Sequence, residues 1–312
     1  MQVTRHARIT AALDRLAPDG PIGLAVSGGP DSLALLWLTH QVRAGAFEVA
    51  TVDHGLRPEA AAEATIVARL CGELAVPHSI LQVEVAGGAS LQAQARTARY
   101  AALRAWALER GLTAVATAHH RDDVAETMLM RLARGSGVGG LAGMRETRAL
   151  GEGVRLIRPL LDWRKAELVA LVEQSGLDPV SDPANRDERH DRTRFRALLA
   201  EDSIFDSDRL ARSAATLREA EDALAFTAEE LAAARVRIEG RSAEVDAGGL
   251  PAEYQRRLLS KAMASLGANA IRGPDLDRAL AAIRDERSCT LGGLRLSGGE
   301  IWRLEPEPPR RA

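Results

Sequence analysis

Along the first half of the chain, short apolar runs alternate with longer stretches of helical period. Ile22 to Val26 reads as a strand, Phe47 to Val52 as a second, Ser79 to Val85 as a third and Thr113 to Ala118 as a fourth. Glycines, prolines and Asx residues bound these runs, as in the Gly87-Gly88 turn. Apolar positions three and four apart predict helices between them. These cover Thr4 to Leu16, the residues after Ser32, Glu59 to Ala75, Ser90 to Arg110 and Val124 to Arg134. Strands alternating with helices predict an α/β fold with a doubly wound, Rossmann-like parallel sheet. In such a sheet, ligands collect beyond the carboxyl ends of the strands.

Beyond this, Val154 to Leu161 suits one more short strand and Trp163 to Gln174 a helix. The Pro- and Asx-rich segment Asp178 to Asn185 suits a fixed loop, and a mixed-charge stretch, Arg186 to Arg196, follows it. A long helical pattern runs from Ser207 to Ile238, with Leu210, Leu217, Leu224 and Leu231 seven apart. Such a helix either pairs with another helix or bridges two domains, and the bridge asks for less. After Gly240 the pattern predicts helices over Pro251 to Leu266 and Pro274 to Arg284, then short strands near Gly292-Gly293 and Gly298-Gly299. A chain of 312 residues accommodates two domains. The expected division is a catalytic domain over 1–205, a linker helix over 206–240 and a smaller, helix-rich accessory domain over 241–312.

Composition narrows the class. Hydrophobic residues make up 46% of the chain but aromatics only 3%, so the core must be largely Ala, Leu and Val. No run of about 18 apolar residues suggests a membrane span, and the amino terminus lacks the apolar stretch of a signal peptide, so a cytoplasmic protein is expected. Cys71 and Cys289 are far apart with no C-x-x-C pair, which argues against a disulfide framework, a zinc site or a persulfide-carrying thiolase. The formal net charge is −2, so any nucleic-acid surface must be local.

The chemistry concentrates at strand exits. Ser27-Gly28-Gly29-Pro30-Asp31-Ser32 joins the first strand to a helix. Two glycines let backbone N–H groups close on an anion, two hydroxyls flank them, and the helix adds its positive dipole end. No Walker lysine is present; Asp31 stands in that region and suits a magnesium-bridged pyrophosphate. The loop therefore points to ATP split into AMP and pyrophosphate, with a plain strand-to-helix turn as the alternative. His54, after the second strand, is placed to meet the nucleoside, unless it belongs to a turn capped by Asp53. His119 and Asp123 lie four apart where a helix starts. Asp123 could hold a substrate cation while His119 binds phosphate or moves a proton; an N-terminal cap is the plainer alternative. Glu126, one turn on, could extend the acidic patch. Arg96 and Arg99, three apart on a helix, could face a nucleotide phosphate or an activated base, or form a solvated face. Arg189, Arg192, Arg194 and Arg196 could bind an RNA backbone, or simply pair with the interleaved Asp187, Glu188 and Asp191.

Several stretches together resemble the tRNA(Ile)-lysidine synthase family of the N-type ATP pyrophosphatase, or PP-loop, superfamily. They are Val26 to Ser32, Val52 to Arg57, Ala95 to Tyr100, Thr117 to Thr127, Arg131 to Gly137, Gly140 to Met144 and Arg158 to Leu161. The resemblance covers about residues 20 to 200. It implies an adenine nucleotide alpha hydrolase-like fold and a two-step ligation. The C2 carbonyl oxygen of the wobble cytidine of tRNA(Ile) with a CAU anticodon attacks the ATP α-phosphate and releases pyrophosphate. The ε-amine of free L-lysine then displaces AMP. It further implies Mg²⁺ near Asp31, a lysine pocket at Asp123 with His119 beside it, His119 or Asp123 as base, and Arg99 by the activated cytidine. The arginines from Arg189 to Arg196 and the region after about residue 205 would then bind tRNA.

Two departures stand out. Ala184 precedes Asn185 where the family commonly has Ser or Thr, and the carboxyl-terminal part is shorter than in the longest members. The rival readings are a thiolase-like enzyme of the same superfamily, disfavoured by the cysteines, and a non-catalytic ATP-binding module. Oligomeric state is open, and a homodimer is compatible with the sequence.

Overall fold

The computed structural model describes residues 2–55, 58–84, 91–180, 191–201, 204–268 and 271–307. The sequence readings at Leu56-Arg57, Val85, Gly87-Gly88, Ser90, Ser181 to Asn185 and Arg186 to His190 lie outside the described residues. The chain divides into two compact units, Met1–Leu217 and Arg218–Ala312.

The first unit opens with α1 (Gln2–Leu16), β1 (Ile22–Ala25), α2 (Pro30–Arg43), β2 (Phe47–Asp53), α3 (Pro58–Glu73) and β3 (His78–Gln82). It continues with α4 (Leu91–Glu109), β4 (Ala114–Ala116), α5 (Arg121–Leu132), α6 (Val138–Leu141), β5 (Thr147–Gly151) and β6 (Val154–Ile157). Then come α7 (Lys165–Gln174), α8 (Asp191–Glu201) and α9 (Ser207–Arg235), which runs through the boundary between units. The strands form one six-stranded sheet in the order β3-β2-β1-β4-β6-β5. Five strands are parallel as expected; β5 is antiparallel to β6 and forms an edge. The sequence hides β5 because its residues are mostly exposed and show no apolar run. Likewise α8 replaces what reads only as a mixed-charge stretch.

Alternation along the strands sends apolar side chains to both faces. Ile22, Leu24, Val49, Ala114, Ala116 and Ile157 join one core with residues of α1, α2, α3 and α7. Ala50, Val115, Val154 and Leu156 join a second with Tyr100, Leu103 and Trp106 of α4. Each fully buried aliphatic side chain contributes roughly 1.5–3 kcal/mol. The order of chain connections reverses between β1 and β4, so their carboxyl ends open the crevice where such sheets bind ligands.

The second unit contains the rest of α9, then β7 (Val236–Glu239), β8 (Ser242–Val245), α10 (Ala252–Ser265), α11 (Gly273–Arg284), β9 (Ser288–Leu291), β10 (Leu294–Ser297) and β11 (Trp302–Pro306). Its five strands pair antiparallel in the order β7-β8-β11-β10-β9. Leu258, Leu259, Met263, Leu280, Ile283 and Trp302 fill its core. The helical pattern read through Ile238 stops at Arg235, and its last residues form β7, which pairs with β8. Neither of these two strands was visible as an apolar run.

Candidate active site

The loop after β1 is built as its residues dictate. Gly28 is buried with φ +86°, a region that costs an L side chain strain, and an added Cβ would meet Val180 Cγ2 at 3.0 Å. Gly29 is the extended N-cap of α2 and Pro30 follows in the first helical turn, where a missing N–H costs nothing. Ser32 Oγ donates to the Gly29 carbonyl at 2.9 Å and accepts from the Ser27 N–H at 3.2 Å. The Ser27 and Ser32 hydroxyls lie 3.4 Å apart. The result is a closed turn carrying two hydroxyls at the amino end of a fourteen-residue helix.

Across the switch point, β4 ends at Ala116 and the chain passes through Thr117 to His120, the N-cap of α5. The His120 N–H donates to Asp123 Oδ2 at 3.0 Å, and the Asp123 N–H approaches His120 Nδ1 at 3.4 Å. This reciprocal cap turns His120 inward, where it is 1% exposed. Its Nε2 lies 3.5 Å from Asp31 Oδ2 and 3.6 Å from Asp123 Oδ2. Burial opposes protonation of His120, but Asp31, Asp123 and Asp122 reverse that and hold the imidazole above its ordinary pKa. Burial likewise opposes ionisation of Asp31, yet His120, Lys165 and Arg196 more than offset it, and its carboxyl titrates below the usual range. Asp31 Oδ1 is buried without a hydrogen-bond partner among the described residues.

Acidic residues around this point divide by partner. Asp122 Oδ2 accepts from the Lys165 N–H at 2.7 Å, anchoring the start of α7. Arg164 and Arg121 then reach Asp208 in the first turn of α9 at 3.1 and 2.6 Å. Glu126, 1% exposed, accepts from Arg196 Nε at 2.9 Å.

The predicted site residues thus fall in two neighbourhoods. Asp31, Asp123, Glu126 and Arg196 come together with Ser27, Gly28, Gly29, Pro30 and Ser32 at the exits of β1 and β4. His119 is half-buried and shares a hydrogen bond with Thr117 Oγ1 at 2.9 Å; the imidazole between the carboxylates is the next one, His120. His54 and Arg99 form the second neighbourhood, at the exit of β2. Asp53 Oδ1 accepts from the Gly55 N–H at 2.9 Å, closing the turn that carries His54. Burial first, and then the charge of Arg99, push the His54 pKa down against Asp53. Of the arginines expected to meet RNA, Arg194 is exposed and Arg196 is paired inward. The side chain of Arg192, and Arg189 altogether, lie outside the described residues.

Sequence reasoning assigned no role to His120 and Lys165, although His120 lies inside a quoted stretch. The signal for His120 was its place as the residue before the first helical turn, where a cap must turn inward. Lys165 had none, because only the fold carries α7 to Asp31.

Comparison with known proteins places this geometry. The PP-loop domain matches residues 1–202. The chain is 47% identical to a tRNA(Ile)-lysidine synthase of Novosphingobium aromaticivorans, over 98% of this chain and 95% of that one. It is 43% identical to the enzyme of the same name from Zymomonas mobilis, over 94% and 90%. In fold it is similar to the U34-tRNA thiolase NcsA of Methanococcus maripaludis, with a TM-score of 0.58 at 18% identity over 69% of this chain and 79% of that one. That thiolase was solved with its [4Fe-4S] cluster; here Cys71 is buried, its thiol pushed up to about 11, and Cys289 belongs to the other unit.

Proposed function

The chain belongs to the tRNA(Ile)-lysidine synthases of the PP-loop ATP-binding family, and on that premise we propose how its residues divide the two-step ligation. The enzyme is a carbon–nitrogen ligase that modifies tRNA and uses ATP. The observation that supports the division of labour is that Asp31 and Asp123, from opposite walls of the switch-point crevice, approach the same nitrogen of His120.

In the first step the wobble cytidine C2 oxygen attacks the ATP α-phosphate, and the bond to the β-phosphate breaks. Negative charge then gathers on the departing pyrophosphate. The loop amides, Ser27, Ser32 and the amino end of α2 receive it. Mg²⁺ suits this place: it takes one or two carboxylates and completes its shell with phosphates and water, and Asp31 carries a buried oxygen with no hydrogen-bond partner among the described residues. When bound, the ion would neutralise pyrophosphate charge.

In the second step the ε-amine of L-lysine attacks C2 of the cytidine and AMP leaves with the oxygen. Free lysine arrives as a cation, and Asp123, one turn from Glu126, offers it a carboxylate. The ammonium must lose a proton before attack, and Asp123 is the group placed to take it. His120, buried and bonded at both ends, acts through Asp123 and Asp31 as a positioning residue. Arg99, reaching the β2 exit, faces the activated base. The reaction belongs in the cytoplasm, where ATP, lysine and tRNA meet; no helix among the described residues is long and apolar enough to cross a membrane.

Incubating the protein with ATP, Mg²⁺, lysine and an unmodified transcript of the CAU isoleucine tRNA tests this. Pyrophosphate release that needs tRNA, followed by AMP release that needs lysine, is the expected result. Bound ATP that stays intact with both substrates present overturns it.

A further inference from the structure

We propose that Arg96 and Arg148, gathered beside Arg99 on the ring of Tyr100 and backed by Arg158, bind a phosphodiester of the RNA substrate, leaving Arg99 to the activated base. The inference rests on the reading of the chain as an enzyme acting on tRNA. The guanidinium carbons of Arg96, Arg99 and Arg148 lie 5.0, 5.2 and 4.5 Å from the centre of the Tyr100 ring. Two come from α4 and one from the antiparallel edge strand β5. The ring itself is 8% exposed.

Arg158, 4% exposed, follows β6. Its Nη1 donates to the Arg145 carbonyl, and its Nε is buried without a hydrogen-bond partner among the described residues. Burial, with the charges of Arg148 and Arg96, lowers its pKa against the opposing effect of Tyr100. The Tyr100 hydroxyl is also buried, and Arg99 and Arg158 act on it.

Among the described residues no carboxylate pairs with any of the four. Neighbouring arginines are paired: Arg15 with Glu146, Arg104 with Glu152 and Arg110 with Glu48. Like charges collected without a counterion repel, and stacking on one ring offsets this only in part. A bound anion removes the repulsion. Guanidinium groups held over a ring by cation–π attraction still have N–H donors to offer a phosphate, and the bidentate contact open to Arg favours it over Lys.

The ATP phosphates have a separate cradle after β1. β6 is two strand spacings away from β1 in the sheet order, and β5 three, at about 4.8 Å each. Arg148 and Arg96 are exposed, as contact with a polymer requires. In a chain of net charge −2, an RNA must be held by such local concentrations.

The test measures binding of the unmodified tRNA transcript by fluorescence anisotropy across a salt series. Arg148→Gln is expected to weaken binding about tenfold and to flatten the log–log salt slope by about 0.7, the loss of one single-strand phosphate contact. Arg148→Lys should restore the slope but not all the affinity, and ATP affinity should match the parent in both. Arg96→Gln, likewise exposed, repeats the measurement at a second position. Parent-like affinity and slope in both glutamine variants overturn the proposal, as does a loss confined to ATP. A parent protein that shows the Arg148-dependent slope but adds no lysine would sink the ligase reading and leave this one standing.

Discussion

Arg196 Nε donates to Glu126 Oε1 at 2.9 Å across seventy residues of chain, closing α8 onto α5 beside the switch-point crevice. Glu126 is 1% exposed while Arg196 keeps about a third of its side chain in solvent. An arginine in a basic run, read as an RNA contact, is thus committed to neutralising a buried carboxylate. Removing it takes a charge-assisted partner from that carboxylate, at about 1.5–3 kcal/mol. Arg196→Ala should lower the urea midpoint of the first unit by that equivalent. Arg194→Ala, on an exposed side chain of the same helix, should stay within about 0.5 kcal/mol of the parent. Equal effects would show that the pair carries no stability.

Asp123→Asn keeps the size of the side chain and its contact with the His120 N–H but removes the charge. A charge-assisted contact contributes roughly 1.5–3 kcal/mol, so the lysine needed for half-maximal AMP release should rise about 10- to 100-fold. Lysine-independent pyrophosphate release should persist. An unchanged lysine requirement would remove Asp123 from the amino-acid pocket.

Gly28→Ala tests the cradle. At φ +86°, with Val180 Cγ2 3.0 Å from the new Cβ, the loop must shift, at about 1–2 kcal/mol of strain. The expected result is at least about a tenfold rise in KM for ATP, since small displacements of positioned groups are costly. Gly111→Ala, also at positive φ (+65°) but with nothing among the described residues within 4 Å, serves as the backbone control away from the site.

His78 supplies a pH dependence away from the crevice. Its Nε2 lies 2.9 Å from Thr51 Oγ1, which donates to the Val26 carbonyl at 2.9 Å just before the loop. Burial lowers its pKa. The unfolded chain therefore binds more protons than the folded one at this site as pH drops below about 6.5. The contribution of His78 is fully present above that pH and is lost as the solution is acidified toward its folded pKa. His54, also lowered, acts in the same sense, so the difference between parent and His78→Gln isolates the site. The parent should lose stability relative to the variant between about pH 7 and pH 5, read from urea midpoints. A pH-independent difference would rule the titration out.

The existence of the main strands and helices was legible because period and punctuation are local. Each of the first four strands, the long α9 and both later helices appeared as apolar patterns bounded by Gly, Pro or Asx residues. The edge strand β5, the hairpin of β7 and β8, and α8 were not, because exposed or mixed-charge segments take their structure from a neighbour. At the site, Asp31, Asp123 and the Ser27 to Ser32 turn were readable from their position at strand exits.

The sequence by itself therefore determined the sheet, the glycine turn after the first strand and the carboxylates at the next exit, since these depend on residues close in the chain. Tertiary structure alone decided that His120 rather than His119 stands between Asp31 and Asp123. It also decided that Arg196 serves Glu126, that the charge of Lys165 acts on Asp31, and that Arg148 and Arg158 join α4 around Tyr100. Electrostatic partnership acts through space, and only the folded sheet sets which charges from distant segments come within a few ångströms of one another.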